Sequence, residues 1–268
     1  MAGGSLGAIF GSEISKRFSG SFDELGLELF SLSAALFLFL AMLLALYMLS
    51  ISNNDQTIDT DNAGGGSFDA IKNSLQINEI RNIASYVWIW TALMTVQWIT
   101  AINIVEDWSQ NSEQRLRFFA IMEQVISPLT LIIQLFFTNL IIKKIGIKNI
   151  LLSYGILFCI AFILYGLIPS IISVGVVTVF LRVFEYGINK PTRETIFSTL
   201  KKNDRYKSTV FIDTFISRFG DLSGSGFIAI GKLTSIAANS LPLIAIPIAG
   251  FLSILGIRIS RNINTKDL

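Results

Sequence analysis

Long uncharged runs separated by short charged stretches dominate the chain. They fall at Leu29 to Ser50, Asn82 to Val105, Gln124 to Ile142, Asn149 to Leu181 and Leu233 to Ile257. A helix needs about 20 residues to cross roughly 30 Å of hydrocarbon, so each run except the fourth predicts one span. Asn149 to Leu181 is too long for one helix, and Pro169 disfavours helical geometry at Ile168. It therefore predicts two spans joined by a tight turn, the second continuing through Arg182 to about Ile188. Ser208 to Gly231 predicts a further span despite Asp213, Arg218 and Asp221, because its other residues are apolar or small. Ala2 to Gly11 is apolar but too short to cross, and it lacks the basic start of a signal peptide. The pattern predicts an all-α, polytopic helical membrane protein of seven spans preceded by part of one.

Charge gives the orientation. With the loop from Ile51 to Ile80 on the cytoplasmic side, the connections 143–148 and 189–207 and the tail after Ile257 are cytoplasmic too. Those segments then hold Lys72, Arg81, Lys143, Lys144, Lys148, Lys190, Arg193, Lys201, Lys202, Arg205, Lys207, Arg258, Arg261 and Lys266. The opposite side holds only Lys16, Arg17, Arg115, Arg117 and Lys232, which satisfies the positive-inside rule. Arg182 and Arg218 are left within the membrane.

Composition narrows the function classes. The 268 residues are 52% hydrophobic and 15% charged, with no histidine and a single cysteine, Cys159; mean hydropathy is +0.61. These values lie outside globular averages. Histidine-based acid–base chemistry, His/Cys metal sites and an intrachain disulfide are excluded, and a net charge of +2 is too small to recruit nucleic acid. Neither an enzyme nor a resident metal or cofactor is expected; the expected partners are the lipid bilayer and a small-molecule substrate.

The order of parts is that of the second half of a twelve-helix secondary transporter with the end of its first half attached. Residues 1–51 would close an N-terminal bundle, 52–81 would form a cytoplasmic linker and interfacial helix, and 82–268 a C-terminal six-helix bundle. In the linker, Asp55, Asp59, Asp61 and Gly64 to Gly66 read as flexible, while Phe68, Ile71, Leu75 and Ile80 fit an interfacial helix. The part-span at the start predicts that Met1 is a false start and that the N-terminal half of a transporter is a missing partner.

Charged groups at bilayer depth cost about 2.5–3.5 kcal/mol each on insertion scales, so they mark functional candidates. Arg182 and Glu185, three apart, would share a helical face and pair with each other or with substrate. Asp213, Arg218 and Asp221 make a second cluster, whose carboxylates suit a coupling ion and whose arginine suits an anion. Glu123, Ser127, Thr130, Gln134 and Thr138 form a polar stripe beside Pro128, fit either to line a cavity or to knit helices together. Gln97, Thr100 and Asn103 form a shorter one. The Gly3, Gly7, Gly11 series and the Gly220, Gly224 pair predict close helix packing. Gly226 to Lys232 imitates a phosphate loop, but Leu233 stands where a hydroxyl is required. Trp88, Trp90 and Trp108 read as interfacial anchors, and Cys159 as lipid or packing surface.

The stretch Phe184-Glu185-Tyr186-Gly187-Ile188-Asn189-Lys190-Pro191-Thr192-Arg193-Glu194, with Tyr206 to Asp213 and Arg218-Phe219-Gly220-Asp221, resembles the nucleotide (ATP/ADP) transporter family of the major facilitator superfamily. The motif-rich match covers about 45 residues, and the span layout agrees elsewhere. The resemblance implies a major-facilitator-type bundle in the cell inner membrane, with Pro191, Arg193, Glu194, Lys207 and Asp213 on family positions and a basic loop beside the cytoplasmic mouth. It implies transport of a nucleotide or another phosphorylated anion by alternating access, as in an ATP:ADP antiporter. The family's exchangers carry Lys where this chain has Asp221, which points to a non-exchanger bacterial relative. A proton-coupled permease for another solute and a truncated, non-transporting membrane protein are the alternatives. Candidate substrate or coupling-ion residues are therefore Arg182, Glu185, Lys190, Arg193, Glu194, Lys207, Asp213, Arg218, Asp221, Glu123 and Gln134.

Overall fold

A computed structural model describes residues 7–14, 24–54, 77–198, 202–237 and 240–264, and among these residues there are helices and no strands. A short helix covers residues 7–14. The long elements are α1 (Glu24–Asn54), α2 (Asn78–Trp108), α3 (Ser112–Ile132), α4 (Thr138–Leu167), α5 (Ile171–Phe184), α6 (Lys190–Ser198), α7 (Lys202–Phe211), α8 (Ser217–Leu233) and α9 (Ser240–Asn264). Three π-helical turns, Ile133–Phe137, Glu185–Asn189 and Ile212–Ile216, join α3 to α4, α5 to α6 and α7 to α8 without a break in the helix.

Among the described residues, five stretches are long and apolar enough to cross a membrane: Leu32–Ile51, Ile80–Trp108, Ser112–Leu167, Ile171–Ser198 and Ser240–Arg261. The chain is a multi-pass, all-α membrane protein. The third stretch is 56 residues long, roughly 84 Å at 1.5 Å per residue, nearly three times the hydrocarbon thickness. It is divided at Gly146, whose φ of 79° and ψ of 152° lie in a region essentially reserved for glycine. Exposed Lys143, Lys144 and Lys148 surround this corner. Two passes with a connection at 143–148 result, as the hydropathy pattern predicts. The turn before α5 also follows prediction: α4 ends at Leu167, Ile168 leaves helical geometry, and Ser170 caps α5 by accepting from the Ser173 amide.

Three boundaries differ from expectation. The run Leu233 to Ile257 is not one helix, because Ser235 takes a φ of 55° and the chain turns before Ser240. Ile80, assigned to an interfacial helix, lies in the first turns of α2 and is fully buried in the core; Phe68, Ile71 and Leu75 lie outside the described residues. Residues 189–198 are helix rather than loop, since Pro191 sits beside the π-helical turn where the regular ladder is already interrupted.

The core forms around α2, which packs against α8, α9 and α5, while α4 packs along α9. Tyr86, Tyr154, Phe158, Phe162 and Tyr165 are fully buried there. Glycines set the closest crossings. A Cβ on Gly155 would stand 2.6 Å from the Ala249 carbonyl, one on Gly256 2.8 Å from Leu151, and one on Gly220 2.6 Å from the Trp88 carbonyl. The Gly220, Gly224 pair thus packs as predicted, but at Gly7 and Gly11 a Cβ would meet nothing within 4 Å. The 18-residue apolar window of α1 buries none of its residues.

Candidate functional site: a charged cleft between α2, α5 and α8

Two of the charges expected within the membrane, Arg182 and Asp221, open onto one cleft of about 270 Å³. Met94, Thr95, Gln97 and Trp98 of α2 form one wall, Arg182 and the following Tyr186 a second, and Asp221 of α8 a third. Position follows from helix period: Thr95 and Trp98 are one turn apart on α2, and Asp221 is held on the same side by the Gly220 and Gly224 crossing.

Each charge has a partner from a different quarter than the sequence suggests. Arg182 donates to Glu123 of α3 at 2.7 Å, and the guanidinium lies 5.9 Å from the centre of the Tyr186 ring. Its expected pairing with Glu185 does not occur. The helix widens from Glu185 onward, so that carboxylate turns inward to residues on its own helix. Arg193 donates to it at 2.9 Å, Asn189 donates to it at 2.6 Å, and the Tyr86 hydroxyl donates to the Asn189 side-chain oxygen at 3.3 Å. Glu185 is 1% exposed and Arg193 6% exposed, with the guanidinium stacked 4.5 Å from the centre of the Trp90 ring. Arg193 is therefore a core residue, not part of a solvated basic loop, and Trp90 is its platform rather than an interfacial anchor.

Asp221 is bound from both sides. Thr95 donates to one carboxylate oxygen at 3.0 Å and Arg218 to the other at 3.1 Å. The Arg218 side chain is 81% exposed. Asp213, expected to join it, is exposed at a π-helical turn and does not line the cleft. Lys190 and Lys207 are half-buried, Glu194 is exposed, and none of the three lines the cleft.

The polar stripe, which runs from α3 through the following π-helical turn into α4, has two uses. At one end Glu123 holds Arg182 and accepts from Ser127 at 3.1 Å. At the other end the stripe joins helices. The Lys190 amide bonds to the Glu185 carbonyl, which leaves the Tyr186 carbonyl without that donor; Pro191 has no N–H to offer Gly187. Gln134 donates to the Tyr186 carbonyl at 3.0 Å and Thr138 to the Gly187 carbonyl at 2.6 Å. Gln134 is thus a helix-joining residue rather than a cleft residue. Gln97 donates to Tyr165 at 2.9 Å and to Thr178 at 3.2 Å, closing the floor behind the cleft. Trp88 donates to Ser223 at 3.0 Å across the α2–α8 crossing, and Gly226 to Lys232 is plain helix with no strand before it.

Asn189, Tyr86 and Thr95 were not singled out from the sequence. Asn189 carried a usable signal, since it stands four residues after Glu185; Tyr86 and Thr95 reach their partners only through tertiary packing. No family model and no curated protein matches the chain.

Proposed function

We propose that this chain is a secondary transporter that moves a small solute across the cell inner membrane by alternating access. The observation that carries the reading is the cleft itself: an arginine and a carboxylate on separate helices, Arg182 and Asp221, share one opening in a helical bundle rich in apolar spans. Ionisable groups so placed are costly, which marks them as functional candidates. Supporting it are the three π-helical turns among the described residues, a feature common at functional sites, two of them in contact where α3 approaches α5. The resemblance to the nucleotide transporter family supports the same class, with a nucleotide or other phosphorylated anion as its implied solute. Proton coupling is the second reading, favoured by two carboxylates, Glu123 and Asp221, each paired with an arginine beside the cleft. No bond-making chemistry is assigned to the site.

Radiolabelled uptake by the full chain in proteoliposomes, over nucleotides, amino acids and sugar phosphates, tests the class. Saturable uptake of at least one solute is expected, with a loss of tenfold or more in Arg182→Ala. Correctly folded protein that moves nothing on the panel would instead indicate a non-transporting membrane protein.

A further inference from the structure

Resting on that transport reading, we infer that the cleft selects a solute with a carboxylate and an ammonium group on one small, partly apolar body, a zwitterion rather than a polyanion. Charge balance is the first argument. Arg182 is neutralised by Glu123 at 2.7 Å and Asp221 by Arg218 at 3.1 Å. The two pairs together are net neutral. A nucleotide polyphosphate would bring several uncompensated negative charges into this site and set them against Asp221. A zwitterion adds no net charge, and it carries one group for Arg182 and one for Asp221.

Donor capacity is the second argument. A guanidinium offers five N–H donors in a fork that fits a carboxylate, and the Glu123 contact is made through one nitrogen, Nη1. An ionised carboxylate offers about four acceptor positions, and Thr95 and Arg218 each take one oxygen of Asp221. Both groups retain capacity toward the cleft. Its remaining lining includes Met94, Trp98 and Tyr186, which suit an apolar or aromatic side group between the charged ends.

The test uses the full chain in proteoliposomes with labelled L-phenylalanine as probe. Competitors are L-phenylalaninamide, which lacks the carboxylate, 3-phenylpropionate, which lacks the ammonium, and ATP and glucose 6-phosphate. The expected result is saturable phenylalanine uptake, with both one-charge analogues competing at least tenfold more weakly than unlabelled phenylalanine. In the Asp221→Asn variant the gap between phenylalanine and 3-phenylpropionate should close. In the double variant Arg182→Gln with Glu123→Gln, which keeps the pair neutral, the gap to phenylalaninamide should close. These opposite changes in selectivity are not produced by a general loss of folding. Equal competition by all three aromatic compounds overturns the inference, as does saturable uptake of ATP or glucose 6-phosphate without phenylalanine uptake; in that last case the transport reading stands. If no solute moves in correctly folded protein, the transport reading fails and the inference with it.

Discussion

Arg193 shows how a single side chain changes meaning with its surroundings. Beside Lys190, Lys201 and Lys202 it looks like one more cytoplasmic positive charge, yet it is buried between Glu185 and the Trp90 ring. Removing one partner of such a pair strands a charge at a cost of about 3–5 kcal/mol, whereas replacing both by apolar groups of similar volume is often neutral. Glu185→Ala should therefore lower the unfolding temperature in detergent markedly, and Glu185→Leu with Arg193→Met should recover most of the loss. A double variant that loses the full sum of the two single effects would show that the pair is not coupled. Arg182 gives the complementary case, since its partner Glu123 lies 59 positions away in sequence and no local spacing rule reaches it.

Between elements, the contacts are made by what the helices lack. Pro191 cannot donate to Gly187, the Glu185–Asn189 turn releases the Tyr186 carbonyl, and Thr138 and Gln134 supply the missing donors from across the interface. In lipid no water replaces such bonds, so the irregular turns and the side chains opposite them form one unit. Glycine works the same way by absence of volume. Gly220 faces Thr91 and the Trp88 carbonyl at the α2–α8 crossing, whereas Gly226, further along the same helix, faces open space. Alanine improves helix propensity by up to about 1 kcal/mol relative to glycine, so Gly226→Ala should be neutral or stabilising. Gly220→Ala should destabilise by about 1–3 kcal/mol, the usual range for forced overpacking. Thermal unfolding of the two variants in the same detergent checks the contrast, and equal behaviour would mean that the crossing is looser than described.

At the level of the whole molecule, the turn at Ser109 to Asn111 and the corner at Gly146 lie at opposite ends of one helical pass. With the basic corner inside, single cysteines at Lys144 and Gln110, in a Cys159→Ser background, should be labelled from the cytoplasmic and the outer side respectively. Labelling of both from one face would overturn the topology. The orientation does not depend on Arg193: with that residue moved from loop to core, the basic excess on the cytoplasmic side remains.

The sequence by itself determined the fold class and most of the apolar passes, because hydrocarbon sets a minimum apolar length and Pro169 interrupts the fourth run at a definite place. The predicted span Ser208 to Gly231, with its three charged residues, is not among the stretches apolar enough to cross. The sequence also picked out Arg182 and Asp221, since ionisable groups in apolar surroundings stand out without any structure, and Glu123, as the first member of a polar stripe with helical spacing. The sequence did not determine which charges pair. Local spacing joined Arg182 to Glu185, but the widened turn after Phe184 rotated Glu185 toward Asn189 and Arg193, and the approach of α3 brought Glu123 to Arg182 instead. The cleft was decided at the same level, because Thr95 and Asp221, 126 positions apart, meet only where two glycines let α8 lie against α2.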